Sequence, residues 1–210
     1  MKIGIIGAGH IGATAARLFV NAGHDVAISN SRDPDTLAPL VAELGARAHA
    51  ATPDDAARFA EIVLIAIPLN RYPTLPADVL QGKIVVDAMN YYPERDGHYA
   101  ELDLGTRTST EMVAQHLDGA RIVKAFNTIW FEHLKRQGDR DAAIENRRAI
   151  FVAGDDADAK RTVSELIGDI GFGAVDTGSL SNSGVQQPDA PIYNKDMTVA
   201  AARQALGQDA

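Results

Sequence analysis

The opening segment Lys2-Ile3-Gly4-Ile5-Ile6-Gly7-Ala8-Gly9-His10-Ile11-Gly12 leaves this chain few ways to fold. An apolar run of strand length enters the spacing G-x-G-x-x-G at Gly7, Gly9 and Gly12, and a helical pattern follows at once. Gly7 permits a tight turn. Gly9, without a side chain, lets the backbone approach a pyrophosphate, and Gly12 lets the new helix pack close on the strand. The pyrophosphate then rests on the helix N-terminus, where unpaired N–H groups and the positive dipole end face it. Three glycines alone are a weak signal. A strand before them and a helix after them supply the context of a dinucleotide site.

The rest of the chain keeps the same rhythm. Ile11, Ala15, Leu18, Phe19 and Ala22 recur at helical spacing, with Gly23 as a stop. Asp25–Ser29 reads as a second strand. Asp33-Pro34 is a cap with proline at the first helical position, opening a helix that runs to Gly45. A short strand near residues 47–50 follows, then a helix headed by Thr52-Pro53. Residues 61–67, 83–88 and 121–125 are largely apolar runs, as expected of parallel strands covered on both faces. Thr108-x-x-Glu111 is a capping box heading a helix over residues 110–117. Residues 149–153, 156–170 and 174–176 read as strand, helix and strand. This alternation predicts an α/β fold, a Rossmann-type, doubly wound, mostly parallel sheet over residues 1–178. A short C-terminal extension over 179–210 then covers the acceptor site or makes a dimer contact. Residues 91–107 and 129–147 read as long polar loops. The first is expected to be functional, the second either a mobile flap or a plain surface excursion.

Composition excludes several classes. With 210 residues the chain buries a core without staples. It has no cysteine, hence no disulfide, thiolate metal site or cysteine nucleophile. The histidines are dispersed without metal-ligand spacing, so no metal is expected. A net charge of −8 and a pI near 5.2 leave no basic face to gather nucleic-acid phosphates. No apolar run approaches the roughly 20 residues that cross a bilayer. The glycine-rich start does not suit a signal peptide. The expectation is a soluble, cytoplasmic protein.

The end of the second strand selects the nucleotide. Units that bind NAD usually place a carboxylate there, on the ribose hydroxyl. Here the chain reads Ser29-Asn30-Ser31-Arg32, with no carboxylate until Asp33, which is expected to be spent capping the helix at Pro34. A carboxylate repels a 2′-phosphate, whereas hydroxyls and a guanidinium attract one. A charge-assisted hydrogen bond contributes about 1.5–3 kcal/mol, roughly ten- to a hundredfold in affinity. The turn therefore predicts NADP(H) over NAD(H).

Ligands of open parallel sheets sit beyond the carboxyl ends of the strands. Three segments must meet there: Ile67-Pro68-Leu69, Met89-Asn90-Tyr91-Tyr92 and Phe126-Asn127-Thr128-Ile129-Trp130. Pro68 offers a rigid apolar edge to a nicotinamide ring. Asn90, Asn127 and Thr128 suit its carboxamide or a second ring, and Trp130 and the tyrosines suit an apolar wall. No catalytic residue stands out. His10 lies inside the glycine motif, His133 reads as helix surface, and Lys124, at a strand end, is a weak candidate. Reduction of a carbonyl or imine usually wants a positioned acid. Hydride transfer between nicotinamide and a flavin-like ring chiefly needs two rings held in register. The missing acid points to a ring acceptor. Beyond Gly178 only 32 residues remain, too few for the helical substrate domain common in hydroxyacid dehydrogenases and pyrroline-carboxylate reductases. Either a second subunit completes the site, as in a homodimer, or the substrate lies on the cofactor domain.

With these motifs the chain resembles the NADPH-dependent reductases of coenzyme F420, the F420H2:NADP oxidoreductases, along nearly its whole length. The likeness rests on the glycine motif, Asn30-Ser31-Arg32, Ala66-Ile67-Pro68, Lys124-Ala125-Phe126-Asn127-Thr128-Ile129 and Gly178-Ser179-Leu180-Ser181-Asn182-Ser183. The Phe126–Ile129 stretch is also similar to the cytosolic oxidoreductase domain of six-transmembrane metalloreductases, which passes hydride from NADPH to FAD. The resemblance implies that Ser31 and Arg32 bind the 2′-phosphate and that Ile67 and Pro68 lie by the nicotinamide. The chain departs from the F420 reductases at Asn127, where they tend to carry histidine, and after Ser183. The candidate cofactor-binding set is Gly7, Gly9, His10, Ile11, Gly12, Asn30, Ser31, Arg32, Ile67, Pro68, Asn90, Ala125, Asn127 and Thr128. The expected reaction is hydride transfer between NADP(H) and a small-molecule acceptor, coenzyme F420, FMN or FAD. The alternatives are a small NADP-dependent dehydrogenase or imine reductase acting at a dimer interface, and a non-catalytic NADP(H) sensor.

Overall fold

Apolar runs become strands here, and helices cover them from both sides. A computed structural model describes residues 1–208. Its elements in order are β1 (Lys2–Ile6), α1 (His10–Asn21), β2 (Asp25–Ser29), α2 (Ala38–Leu44), β3 (Ala48–Ala50), α3 (Pro53–Phe59) and β4 (Ile62–Ile65). Then come α4 (Ala77–Leu80), β5 (Ile84–Asp87), α5 (Pro93–Asp96), α6 (Ala100–Asp103), α7 (Ser109–His116) and β6 (Arg121–Lys124). The chain ends with α8 (Phe131–Arg136), β7 (Ala149–Val152), α9 (Ala157–Asp169), β8 (Gly173–Asp176) and α10 (Val199–Ala205). Six strands form one parallel sheet in the order β3-β2-β1-β4-β5-β6. The strand order reverses between β1 and β4, with Ile5 opposite Ile28 on one side and Leu64 on the other. This is the doubly wound order with its crevice at that reversal. β7 and β8 pair with each other and meet the main sheet through an antiparallel bridge between Lys124 and Ala153.

Alternation along each strand sets two cores. Ile62 and Leu64 of β4 face one, with Ile3, Phe19 and Leu166, while Val63 and Ile65 face the other, with Leu80 and Val113. Successive strand side chains point to opposite faces, so only an unbroken apolar run fills both. The caps form as the sequence indicates. The Asp33 carboxylate accepts the Asp35 backbone N–H at 2.9 Å, although it opens a 3-10 turn (Pro34–Leu37) before α2 begins. Thr108 and Glu111 complete both halves of the capping box, at 3.2 and 2.8 Å.

Two segments differ from the sequence expectation. Residues 91–107 are not a loop; they hold α5 and α6, tied by the Tyr91 hydroxyl donating to Asp103 at 2.5 Å. Residues 129–147 hold α8, which packs on α1. Leu134 is the buried residue of that six-residue helix, so its apolar period is too brief to read from sequence. After Gly178 the chain packs back on the body. Val199 and Ala202 of α10 lie on Ala149, Phe151 and Val175 of the β7–β8 pair. Among the described residues no helix is long and apolar enough to cross a membrane.

Candidate functional site

The glycine turn is built by close contacts. Gly7 has φ +111°, and a Cβ there would lie 2.3 Å from the Ala66 carbonyl oxygen. A Cβ on Gly12 would lie 1.8 Å from the Gly7 carbonyl oxygen. Gly9 differs: its backbone is extended (φ −74°), and a Cβ there would have nothing within 4 Å. No neighbour within the protein requires glycine at position 9. The space it leaves open suits a group approaching the backbone itself, the demand a pyrophosphate makes. The first turn of α1 has no side-chain cap and no acidic residue, so its N–H groups remain for an anion.

From this turn a cleft of about 470 Å³ runs across the β1–β4 reversal, with Asn30, Ser31 and Arg32 on one side and Ile67, Pro68 and Arg71 on the other. Asn30 shapes its end. Its Oδ1 accepts the Arg32 N–H at 2.8 Å, and its amide donates to the Thr36 hydroxyl at 2.9 Å. Asp33 is occupied in its cap. The ion pairs among the described residues leave Arg32 and Arg71 without a carboxylate partner, so this end of the cleft is cationic.

Past Pro68 lie two adjoining compartments. One, of about 230 Å³, is bordered by His10, Ile67, Pro68 and Met89. The other, of about 240 Å³, is bordered by Asn127, Trp130, Phe131 and Tyr193. Ile11, Ala88, Asn90 and Tyr92 border both. The three strand-end segments therefore converge as expected. The Asn127 amide donates to Asn90 Oδ1 (3.0 Å) and to the Gln186 carbonyl (2.7 Å). The Asn90 amide donates to the Asn127 carbonyl (2.9 Å) and to the Tyr193 hydroxyl (3.3 Å). Phe126 makes this possible. It is fully buried with φ +65°, a conformation that costs on the order of 1–3 kcal/mol for a bulky residue, and it turns the chain after β6. Ala125 and Thr128 are buried behind that turn.

The titratable candidates separate clearly. His10 stacks on Phe131 at 4.2 Å. His133 pairs with Asp196 at 2.9 Å on the surface of α8. Lys124 is 1% exposed and lies between the Asp87 carboxylate (3.0 Å) and the Met89 carbonyl (2.6 Å). The Thr110 hydroxyl donates to that same Asp87 carboxylate at 2.8 Å. Lys124 thus braces the end of β5 from within and borders neither compartment. The residue that sequence reasoning missed is Tyr193. Its hydroxyl hydrogen-bonds that of Tyr92, both half-buried. The Arg95 guanidinium lies 4.9 Å from the centre of the Tyr92 ring and donates to the Asn90 carbonyl at 2.7 Å. Burial first, and the bond to Tyr92 second, push the Tyr193 hydroxyl well above the usual phenol range, so it holds its proton at neutral pH. No local pattern marks Tyr193, which lies 101 positions from its partner.

Fold and family together define an NADP(H)-binding oxidoreductase of the Rossmann class. A crystal structure of a hypothetical protein from Sinorhizobium meliloti superposes with a TM-score of 0.80 at 36% identity, covering 94% of this chain and 95% of that one. The chain belongs to the family of that protein. The family model described as NADP oxidoreductase, coenzyme F420-dependent, matches residues 2–91. A protein from Arthrobacter sp. FB24, provisionally described as an F420-dependent NADP reductase, superposes with a TM-score of 0.73 at 28% identity, over 87% of each chain. Metalloreductase STEAP3 of Rattus norvegicus is 32% identical over 185 residues, 87% of this chain and 35% of its own length. The chain spans about a third of the length of the curated relatives it matches. An imine reductase from Pseudomonas sp. shares the fold alone, with a TM-score of 0.61 at 18% identity over 86% of this chain and 56% of that one.

Proposed function

We propose that this protein uses NADPH to reduce a small carbonyl or imine compound bound on the cofactor domain. One observation carries the reading. The glycine turn, the Asn30–Arg32 turn, the Pro68 edge and a tyrosine-bordered compartment follow one another along a single edge of the sheet. The open backbone at Gly9 and the N-terminus of α1 suit the pyrophosphate. Ser31 and Arg32 suit the 2′-phosphate, and the space between Pro68 and Asn90 suits the nicotinamide. When bound, NADPH supplies the hydride. The chain's own residues orient the rings, bound the acceptor space and hold a proton at a tyrosine hydroxyl. The segment from Ser179 onward serves as the acceptor-side wall through Tyr193 and Asn194, while the buried Gln186 holds Asn127 through its carbonyl. The preference for a ring acceptor rests on the absence of a positioned acid, and the Tyr92–Tyr193 pair removes that premise.

A second reading, hydride transfer to coenzyme F420, FMN or FAD, has its own support. The family model over residues 2–91 and the Arthrobacter relative favour it. So does Trp130, half exposed at the compartment rim, a flat surface for a ring. Calorimetry with NADPH and NADH tests what both readings share. Wild-type protein should prefer NADPH, and Arg32→Ala should lose roughly ten- to a hundredfold in NADPH affinity while leaving NADH binding unchanged. Weak, equal binding of both nucleotides, unaltered by Arg32→Ala, would refute it. Offering F420, FMN, FAD and small carbonyls and imines in turn separates the two acceptors.

A further inference from the structure

We infer that the Tyr92–Tyr193 hydroxyl pair is the proton donor of this enzyme, and that its acceptor is therefore a compound with a C=O or C=N bond whose heteroatom rests on that pair. The inference rests on the NADPH reading above. Counting protons on the pair carries it. Two hydroxyls bring two protons, and the bond between them uses one. The Asn90 amide donates to the Tyr193 oxygen, occupying an acceptor position and no donor. One O–H is left over, and both rings border the compartment that adjoins the nicotinamide space across Asn90 and Tyr92. The groups around the pair suit a phenol that gives up its proton and takes it back. The Asn90 N–H faces the Tyr193 oxygen and the Arg95 guanidinium lies over the Tyr92 ring, so negative charge on either phenol meets a stabilising group.

The step balances. Hydride leaves the reduced nicotinamide for the carbon of the C=O or C=N bond, and the electron pair of that bond moves to the heteroatom. The tyrosine O–H proton goes to the same heteroatom. The phenolate left behind retakes a proton from water. One NADPH and one proton are consumed per bond reduced, and an alcohol or amine leaves with NADP⁺.

The test uses the full chain with a panel of aldehydes, ketones and cyclic imines, and compares wild type with Tyr193→Phe and Tyr92→Phe. Removing the donor should lower kcat by about 100-fold or more, with the NADPH dissociation constant unchanged within about twofold. Pyrrolidinone, a lactam that presents a carbonyl oxygen without being reduced, gives a readout independent of turnover. Its calorimetric affinity for the NADP⁺ complex should fall roughly tenfold in Tyr193→Phe, as loss of one hydrogen bond predicts. Three results overturn the inference: no turnover of any carbonyl or imine by wild type, both variants within about threefold of wild type in kcat, or unchanged pyrrolidinone affinity. Failure of wild type to bind NADPH overturns the underlying reading instead. Tight NADPH binding with turnover of F420 or FMN alone overturns the proton donor and the carbonyl or imine acceptor together, and leaves the NADP(H) site standing.

Discussion

Gly9 and Gly12 are glycines for different reasons, and substitution separates them. At Gly12 an added methyl would meet the Gly7 carbonyl oxygen at 1.8 Å, where the backbone has no room to yield. Alanine gains about 1 kcal/mol of helix propensity there, but a backbone collision costs about 3 kcal/mol or more. Gly12→Ala should therefore be less stable by at least about 2 kcal/mol, lowering Tm by roughly 4–8 °C in a thermal melt. At Gly9 the same methyl meets nothing within 4 Å, and the backbone is already in an ordinary extended conformation. Gly9→Ala should melt within about 2 °C of wild type and bind NADPH at least about tenfold more weakly by calorimetry. A Gly9→Ala protein with full NADPH affinity would remove the pyrophosphate from that turn. Residues of this kind are legible in a sequence because a residue type is itself the constraint. Tyr193 is not, because a lone tyrosine in an irregular tail acquires its meaning from Tyr92 and Asn90, which only folding brings beside it.

Among the elements, α7 shows how one side chain joins two levels of structure. The Thr108 hydroxyl accepts the Glu111 N–H at 3.2 Å and donates to the Leu180 carbonyl at 3.3 Å, so the cap of α7 also anchors the start of the tail. Losing a helix cap costs about 1 kcal/mol, and a carbonyl left without its partner costs about 1 kcal/mol more. Thr108→Ala should lower the unfolding free energy by about 2 kcal/mol in urea titrations, and Thr108→Ser should restore most of it. Capping boxes are readable because their partners are three residues apart. The parallel strands are readable for another reason: two-sided burial asks Ile62–Ile65 and Ile84–Asp87 for nearly unbroken apolar runs. What escapes is short. α5 and α6 span four residues each, less than a period can reveal, and α8 buries Leu134 alone among its six residues. The detachment of β7–β8 from the main sheet also escapes, because it depends on the direction in which β7 meets Lys124 rather than on composition.

At the scale of the whole molecule, the first residue, the α1–β2 turn and the end of α9 are held at one point, His24. Its ring Nδ1 lies 3.2 Å from the Met1 ammonium, and its Nε2 lies 3.2 Å from the Asp169 carboxylate. Phe19 meets the ring edge-on at 6.3 Å. Burial, and after it the neighbouring N-terminal ammonium, lower the His24 pKa below its ordinary value of 6.5; Asp169 opposes this and is outweighed. Below pH 6.5 the unfolded chain takes up a proton at His24 that the folded chain still refuses, so unfolding becomes easier as pH falls. The contribution of His24 is complete above its ordinary value and is lost as pH drops from there through the lowered value of the folded state. Urea midpoints taken between pH 8 and pH 5 should be flat at the alkaline end and decline below about pH 6.5. His24→Gln carries no titrating ring and should show a shallower decline over that interval, with both proteins sharing the steeper loss at lower pH where carboxylates protonate. Equal slopes in the two proteins would mean that the junction of Met1, His24 and Asp169 does not govern the acid side of the stability profile. A shallower slope would show that a contact spanning most of the chain's length sets how this fold answers to pH.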